Sequence, residues 1–209
     1  MDPKIYKPGA YNTPGIYKGS GSIYKGRGVY NIGKDYPKYI NGPIIDDVQY
    51  TAVQINNLGW SLPIKYITSN YFYPNNDPQN QDLGLLYQLK IGYNEINPLL
   101  NDGWRFPTRS DVENLISSVD DSKKLISTNF GGNDFFGFNC EFEGCRDSSG
   151  NFVKFGDASF FWTTSIFEDW PHASYCGKID INGVYVNDGS GTINELYNTA
   201  CFIRLCKDL

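Results

Sequence analysis

Five cysteines, one histidine and a scatter of acidic side chains are the groups in this chain whose types could do chemistry. Cys140 and Cys145 lie five apart, and so do Cys201 and Cys206, with Cys176 between the pairs. Paired thiols bring zinc to mind. Residues five apart in a strand face opposite sides, however, and zinc ribbons space their ligands more closely. Five is also odd, so the expectation is buried free thiols, with no disulfide framework and no metal. The single histidine, His172, sits in Glu168-Asp169-Trp170-Pro171-His172. Any Ser-His-Asp or Cys-His arrangement would have to be built on it, and beside Trp and Pro it is expected in a loop. Asp180, Asn182, Asn187 and Asp188 could offer oxygen ligands to calcium, but around Asn182-Gly183 the plainer expectation is turn chemistry. No phosphate-cradling Gly-x-x-x-x-Gly-Lys-Ser occurs. The residues therefore predict a protein without a catalytic centre, cofactor or metal.

The 209 residues carry a net charge of -5 and a pI near 4.9, which argues against a nucleic-acid partner held by counterion release. No apolar run approaches the ~20 residues of a membrane span. Met1-Asp2-Pro3-Lys4 opens no apolar leader stretch, so assembly in a cytoplasm is expected. With 22 Gly, 11 Pro and short apolar runs, strands and turns should outweigh helix.

Residues 1–45 read as an extended arm. A unit of β-branched residue, Tyr, polar residue and then Gly or Pro recurs at Ile5-Tyr6, Ile16-Tyr17, Ile23-Tyr24 and Val29-Tyr30. Tyr6, Tyr11, Tyr17, Tyr24, Tyr30 and Tyr36 stand five to seven residues apart. Recurring Gly and Pro exclude a helix, and the period is too short for a solenoid. A flexible linker would have no use for regular Ile-Tyr pairs. The pattern instead suits an arm that sets one pair per step into another surface, with Gly allowing close backbone approach. Three arms wound together would suit it as well. Lys4, Lys7, Lys18, Lys25, Lys34 and Lys38 would favour an acidic partner. Asn41-Gly42-Pro43 reads as the turn that ends the arm.

From residue 46 to 209 the pattern is that of a compact α+β domain with a small antiparallel sheet. Val48 to Ile55 alternates as a strand ending at Asn56-Asn57. Leu83 to Ile91 fits either a helix or a strand. Val112, Leu115, Ile116 and Val119 make one apolar helical face after Pro107, with capping-box spacing at Thr108 and Asp111 or at Ser110 and Glu113. Phe135–Cys140 is expected to pair with Phe142–Arg146. Lys178–Ile181 and Val184–Val186 flank Asn182-Gly183, a strong hairpin signal. Ala200–Leu205 should close the chain as a strand. Trp60, Trp104 and Trp162 are assigned to the core.

The order of motifs resembles the Fibrobacter succinogenes major paralogous domain. The residues that carry the resemblance are Val53-Gln54-Ile55-Asn56-Asn57-Leu58-Gly59-Trp60, Tyr73-Pro74-Asn75-Asn76-Asp77 and Gly84-Leu85-Leu86-Tyr87. Gly103-Trp104-Arg105-Phe106-Pro107-Thr108, Gly144-Cys145-Arg146-Asp147, Phe161-Trp162-Thr163-Thr164-Ser165 and Phe202-Ile203-Arg204-Leu205-Cys206-Lys207-Asp208 complete it. The resemblance implies a C-type-lectin-like fold, with a looped surface carried on a small twisted sheet. The family occurs on Bacteroidetes surface proteins and in phages of such hosts. Together with the Tyr-rich arm, this implies a bacteriophage virion structural protein, a capsid head fibre or decoration protein. It would anchor to other virion proteins through residues 1–45, with a homotrimer favoured. It would display its domain to a host-surface glycan or a neighbouring subunit. The alternatives are a bacterial cell-surface adhesin domain and an enzyme of the formylglycine-generating type. That enzyme shares the Trp-Arg-Phe-Pro-Thr stretch but needs a reactive cysteine pair, which Cys140 and Cys145, beside Glu141 and Glu143, do not suit. If the domain has a ligand surface, the fold implied places it on the loops before the last strand. The candidates there are Trp170, His172, Tyr185, Asn187, Glu195 and Tyr197, where Trp and Tyr would stack on sugars or anchor protein contacts.

Overall fold

The computed structural model describes residues 37–167, 170–187 (backbone alone at 170–172) and 198–209. The arm residues Ile5, Tyr6, Ile16, Tyr17, Ile23, Tyr24, Val29 and Tyr30 lie outside the described residues. What is described is an α+β arrangement, rich in curled antiparallel sheet and poor in helix.

Strands β1 (Lys38–Ile45), β2 (Val48–Ile55) and β3 (Leu58–Ser61) form a meander. The paired segment therefore starts at Lys38, ahead of the boundary expected at Asp46. Asn41-Gly42-Pro43 does not end the arm; it forms a bulge within β1 between Asn41 and Ile44. Gly42 is required there, because a Cβ would meet the Tyr50 carbonyl oxygen at 2.5 Å. The actual turn is Asp46-Asp47, both at positive φ (49° and 64°), as the twist of a two-residue hairpin demands.

A short strand β4 (Tyr87–Gln88) leads into helix α1 (Leu89–Ile96), so the ambiguous segment Leu83–Ile91 divides between the two forms. Helix α2 (Arg109–Ser118) takes the earlier of the two expected starts, capped by Thr108. The Thr108 side chain accepts from the Asp111 N–H, and Asp111 accepts from the Thr108 N–H at 2.6 Å. The same carboxylate takes a forked pair from Arg105, at 2.6 and 3.0 Å. Burial alone would raise the Asp111 carboxyl. The Arg105 and Thr108 hydrogen bonds outweigh it and hold the group below its ordinary range.

Strands β5 (Cys145–Arg146) and β6 (Phe152–Val153) flank an Asp147 turn. The expected pairing of Phe135–Cys140 with Phe142–Arg146 does not form. Asn139, Phe142 and Gly144 all take positive φ and break the extended run, and Cys140 bridges to Ile126 instead. Strands β7 (Ala158–Phe167), β8 (Trp170–Asp180) and β9 (Gly183–Asn187) make a three-stranded sheet. A hairpin joins β8 to β9 as expected, but its register Asp180↔Gly183 puts Ile181-Asn182 in the turn and Gly183 in β9, one residue earlier than the Asn182-Gly183 turn expected from sequence.

The last residues do more than close an edge. β10 (Ala200–Cys201) lies between β4 and β5, and β11 (Cys206–Asp208) pairs with β3. Between them Phe202 exchanges hydrogen bonds with β7, its N–H to Phe160 and its carbonyl from Trp162, at 3.0 Å each. Ala200–Leu205 is thus no single strand. It runs through all three sheets and ties them together. Two apolar clusters flank the β7–β9 sheet, one containing Tyr87, Trp104, Phe160 and Trp162, the other Trp60, Leu115, Phe161 and Phe202. Trp60, Trp104 and Trp162 are all buried, as assigned.

Candidate ligand-binding surface

The three-stranded sheet places the candidate residues through its register. Phe161, Gly177 and Val186 lie in one row, and Ser159, Ile179 and Val184 in the next. This face packs on the cluster that holds Val112 and Leu115 of α2. The alternate rows, Phe160–Lys178–Tyr185 and Trp162–Cys176–Asn187, face the other way. They run from buried aromatics on β7 to the solvent edge on β9. Period-two alternation thus sets Tyr185 and Asn187 side by side at the open end of a face whose inner end is core.

Tyr185 is 39% exposed, and the Lys178 ammonium stands 5.0 Å from its ring centroid. Lys178 is anchored by Asp180 at 2.7 Å. Asp180 also accepts from the Asn182 N–H at 2.8 Å and the Gly183 N–H at 3.2 Å. Burial would raise this carboxyl, but Lys178 and the turn amides hold it below its ordinary value. Its oxygens are thus committed to the turn, in keeping with the turn chemistry preferred over calcium for this residue. Among the described residues no three His, Cys, Asp or Glu side chains converge as a metal site. Asn187 hydrogen-bonds the Cys176 thiol, whose pKa burial pushes up to about 12. Trp170 and His172 are on β8 by backbone, Trp170 opposite Phe167; their side chains, and Glu195 and Tyr197, lie outside the described residues.

A second polar-aromatic group was not singled out from the sequence. Tyr175 stacks on Phe167, with ring centroids 4.0 Å apart. The Arg109 guanidinium covers its ring at 4.7 Å, and Glu113 holds that arginine at 2.7 Å. The Arg109 N–H also donates to Ser165 at 2.9 Å. A cation and two aromatic rings thus meet at the β7–β8 end. The Phe167…Tyr175 spacing flanking Trp170-Pro171-His172 was the available signal.

The thiols lie inside the fold, with Cys176 beside Asn187 in the same row. All five cysteines are buried and unbridged. Burial pushes Cys140 far above the ordinary thiol range, and nearby Glu143 pushes it further. Glu143 itself is buried, and neither of its oxygens meets a partner of hydrogen-bond geometry. Burial raises its pKa, while the charge of Arg204 acts against that rise.

Asp134 is the neighbouring acid that titrates within an accessible range. Burial raises it from 3.8 to about 6, although its Oδ1 accepts from the Asn139 N–H at 2.8 Å. Between about pH 4 and 6 the folded protein keeps a proton that the unfolded chain has released. The contribution of Asp134 to stability should therefore fall as pH rises through this window, by about 1–3 kcal/mol. Asp134→Asn keeps the acceptor and tolerates the φ of 45°. It should flatten the decline and be the more stable protein at pH 7. Urea midpoints of both proteins at pH 4, 5, 6 and 7 check this.

Comparison with family models, with curated proteins and with solved structures finds no match to the chain. Among the described residues no helix is long and apolar enough to cross a membrane.

Proposed function

We propose that the chain is a non-enzymatic virion structural protein of a bacteriophage, a head fibre or decoration protein. Its N-terminal repeat anchors it to other virion subunits, and a C-type-lectin-like domain displays the Tyr185 face. The observation that carries this reading is the division of charge and pattern along the chain. Residues 1–36 hold the four recurring Ile-Tyr or Val-Tyr units that run into Gly or Pro, and a net charge of +4, which leaves -9 for residues 37–209 of the -5 total. A basic, Tyr-punctuated segment ahead of an acidic domain suits anchoring on an acidic partner surface. Support also comes from the use the domain makes of its reactive groups. Its thiols are buried, Asp180 serves a turn and Asp111 serves a helix cap, while the exposed edge offers aromatic and amide groups suited to binding.

The mass in solution tests the reading, comparing the full chain with a protein that begins at Pro37. A full-length trimer that becomes a monomer on truncation is the expected result. If both are monomers and the full chain also fails to bind purified capsids, the anchoring role is lost.

A further inference from the structure

The registers of the second sheet bring two cysteines face to face. Cys201 pairs with Tyr87 on one side. On the other, Ala200 pairs with Arg146, so one step along Cys201 stands opposite Cys145. Cys145 in turn pairs with Val153. Tyr87, Cys201, Cys145 and Val153 thus form one row across four strands, all on the side that faces the same apolar cluster. Burial pushes the Cys201 thiol well above its ordinary range, and Cys145 is the neighbour that adds most to that rise. Directly opposite residues of an antiparallel pair have Cα atoms roughly 4.5–5.5 Å apart. A disulfide spans roughly 4.4–6.8 Å.

The other three thiols are placed differently. Cys176 enters the same cluster from β8, but its row neighbours are Trp162 and Asn187. Cys140 and Cys206 belong to the opposite cluster.

We propose that Cys145 and Cys201 are a cross-strand redox pair that closes to a single disulfide in an oxidising environment, while Cys140, Cys176 and Cys206 remain thiols. The oxidant is a small-molecule disulfide such as oxidised glutathione. One cysteine thiolate attacks it, breaking its S–S bond, releasing one reduced thiol and leaving a mixed disulfide. The second cysteine thiolate attacks the protein sulfur of that mixed disulfide and expels the other thiol. The two protein thiol protons end on the two released thiols, and two electrons pass to the oxidant. Both cysteines are buried, so closure accompanies the meeting of β5 and β10 during folding, or a slow opening of the folded sheet. The bridge would close the chain from 146 to 200, the stretch that carries Trp170, His172, Tyr185, Asn187, Glu195 and Tyr197. It would thereby fix both ends of the segment bearing the candidate ligand surface.

The test is to refold the full chain in a glutathione redox mixture and, separately, under full reduction. Free thiols are then alkylated in denaturant, the intact mass and peptides are mapped, and the thermal midpoint of each form is measured. The expected product carries one bridge, Cys145–Cys201, with three alkylated thiols. Its midpoint should lie on the order of 5–10 °C above the reduced form. Cys145→Ala and Cys201→Ala should each refold without a bridge, and Cys176→Ala should still form it. Folded protein with five alkylated thiols, a bridge between any other pair, or an oxidised form no more stable than the reduced one would each overturn the proposal.

Discussion

Replacing Arg204 by Met is expected to remove about 3–5 kcal/mol of stability, measured as a shift in the urea unfolding curve. Arg204 is 1% exposed in the segment that runs through all three sheets. Its guanidinium donates to the carbonyls of Ser61 at 3.2 Å, Phe138 at 2.8 Å and Asn139 at 3.3 Å, and stands 4.0 Å from the Phe138 ring centroid. It is also the positive charge facing buried Glu143 and half-buried Asp134. Burial by itself lowers the Arg204 pKa, and the neighbouring acids oppose that shift. Met fills a similar volume but leaves three carbonyls without a donor and the acids without compensation. Glu143→Gln combined with Arg204→Met should recover part of the loss, because it removes one of the acids left without its compensating charge, the mark of coupled sites. A loss under about 1 kcal/mol for Arg204→Met would mean that apolar packing, and not the guanidinium, joins the segment 134–143 to the C-terminal run.

A protein that begins at Asp46 should lose at least about 4 kcal/mol relative to one that begins at Pro37, and circular dichroism on heating should show it largely unfolded. The shorter protein lacks β1 and, with it, fully buried Ile45 and the Ile40 side chain that lies against Gly59. It also lacks the Pro37 and Tyr39 atoms that sit within 3.0 Å of where a Cβ on Gly137 would stand. The row of β2 backbone groups that β1 satisfies would become an open edge. Equal stability of the two proteins would show β1 to be an appendage with no part in the fold.

Local pattern was enough to read those elements whose hydrogen bonds close within a few residues. The Thr108–Asp111 capping box starts α2 where the apolar i, i+3, i+4, i+7 face begins, because cap and face are both properties of one turn. The alternation in Val48–Ile55 and the existence of a β8–β9 hairpin were legible for the same reason, although its turn falls on Ile181-Asn182 and not on Asn182-Gly183. Burial of three tryptophans and five cysteines followed from residue type.

Other features depended on partners far along the chain. Asn41-Gly42-Pro43 has turn chemistry, yet the pairing of β1 with β2 makes it a bulge, and the boundary moved with it. Phe135–Cys140 has strand composition, yet Arg204 and Ile126 claim its backbone, and positive φ values break the hairpin expected there. The five-residue spacing of the cysteines said nothing of Cys145 facing Cys201, which depends on β10 inserting between β4 and β5. At the candidate surface, sequence could name Tyr185 and Asn187 by type. Their shared place at the open end of a face, and the Arg109–Tyr175–Phe167 stack at the β7–β8 end, arise from strand register and helix packing. Composition and near-neighbour geometry therefore settle what each segment is, whereas pairing across the chain settles which side chains meet.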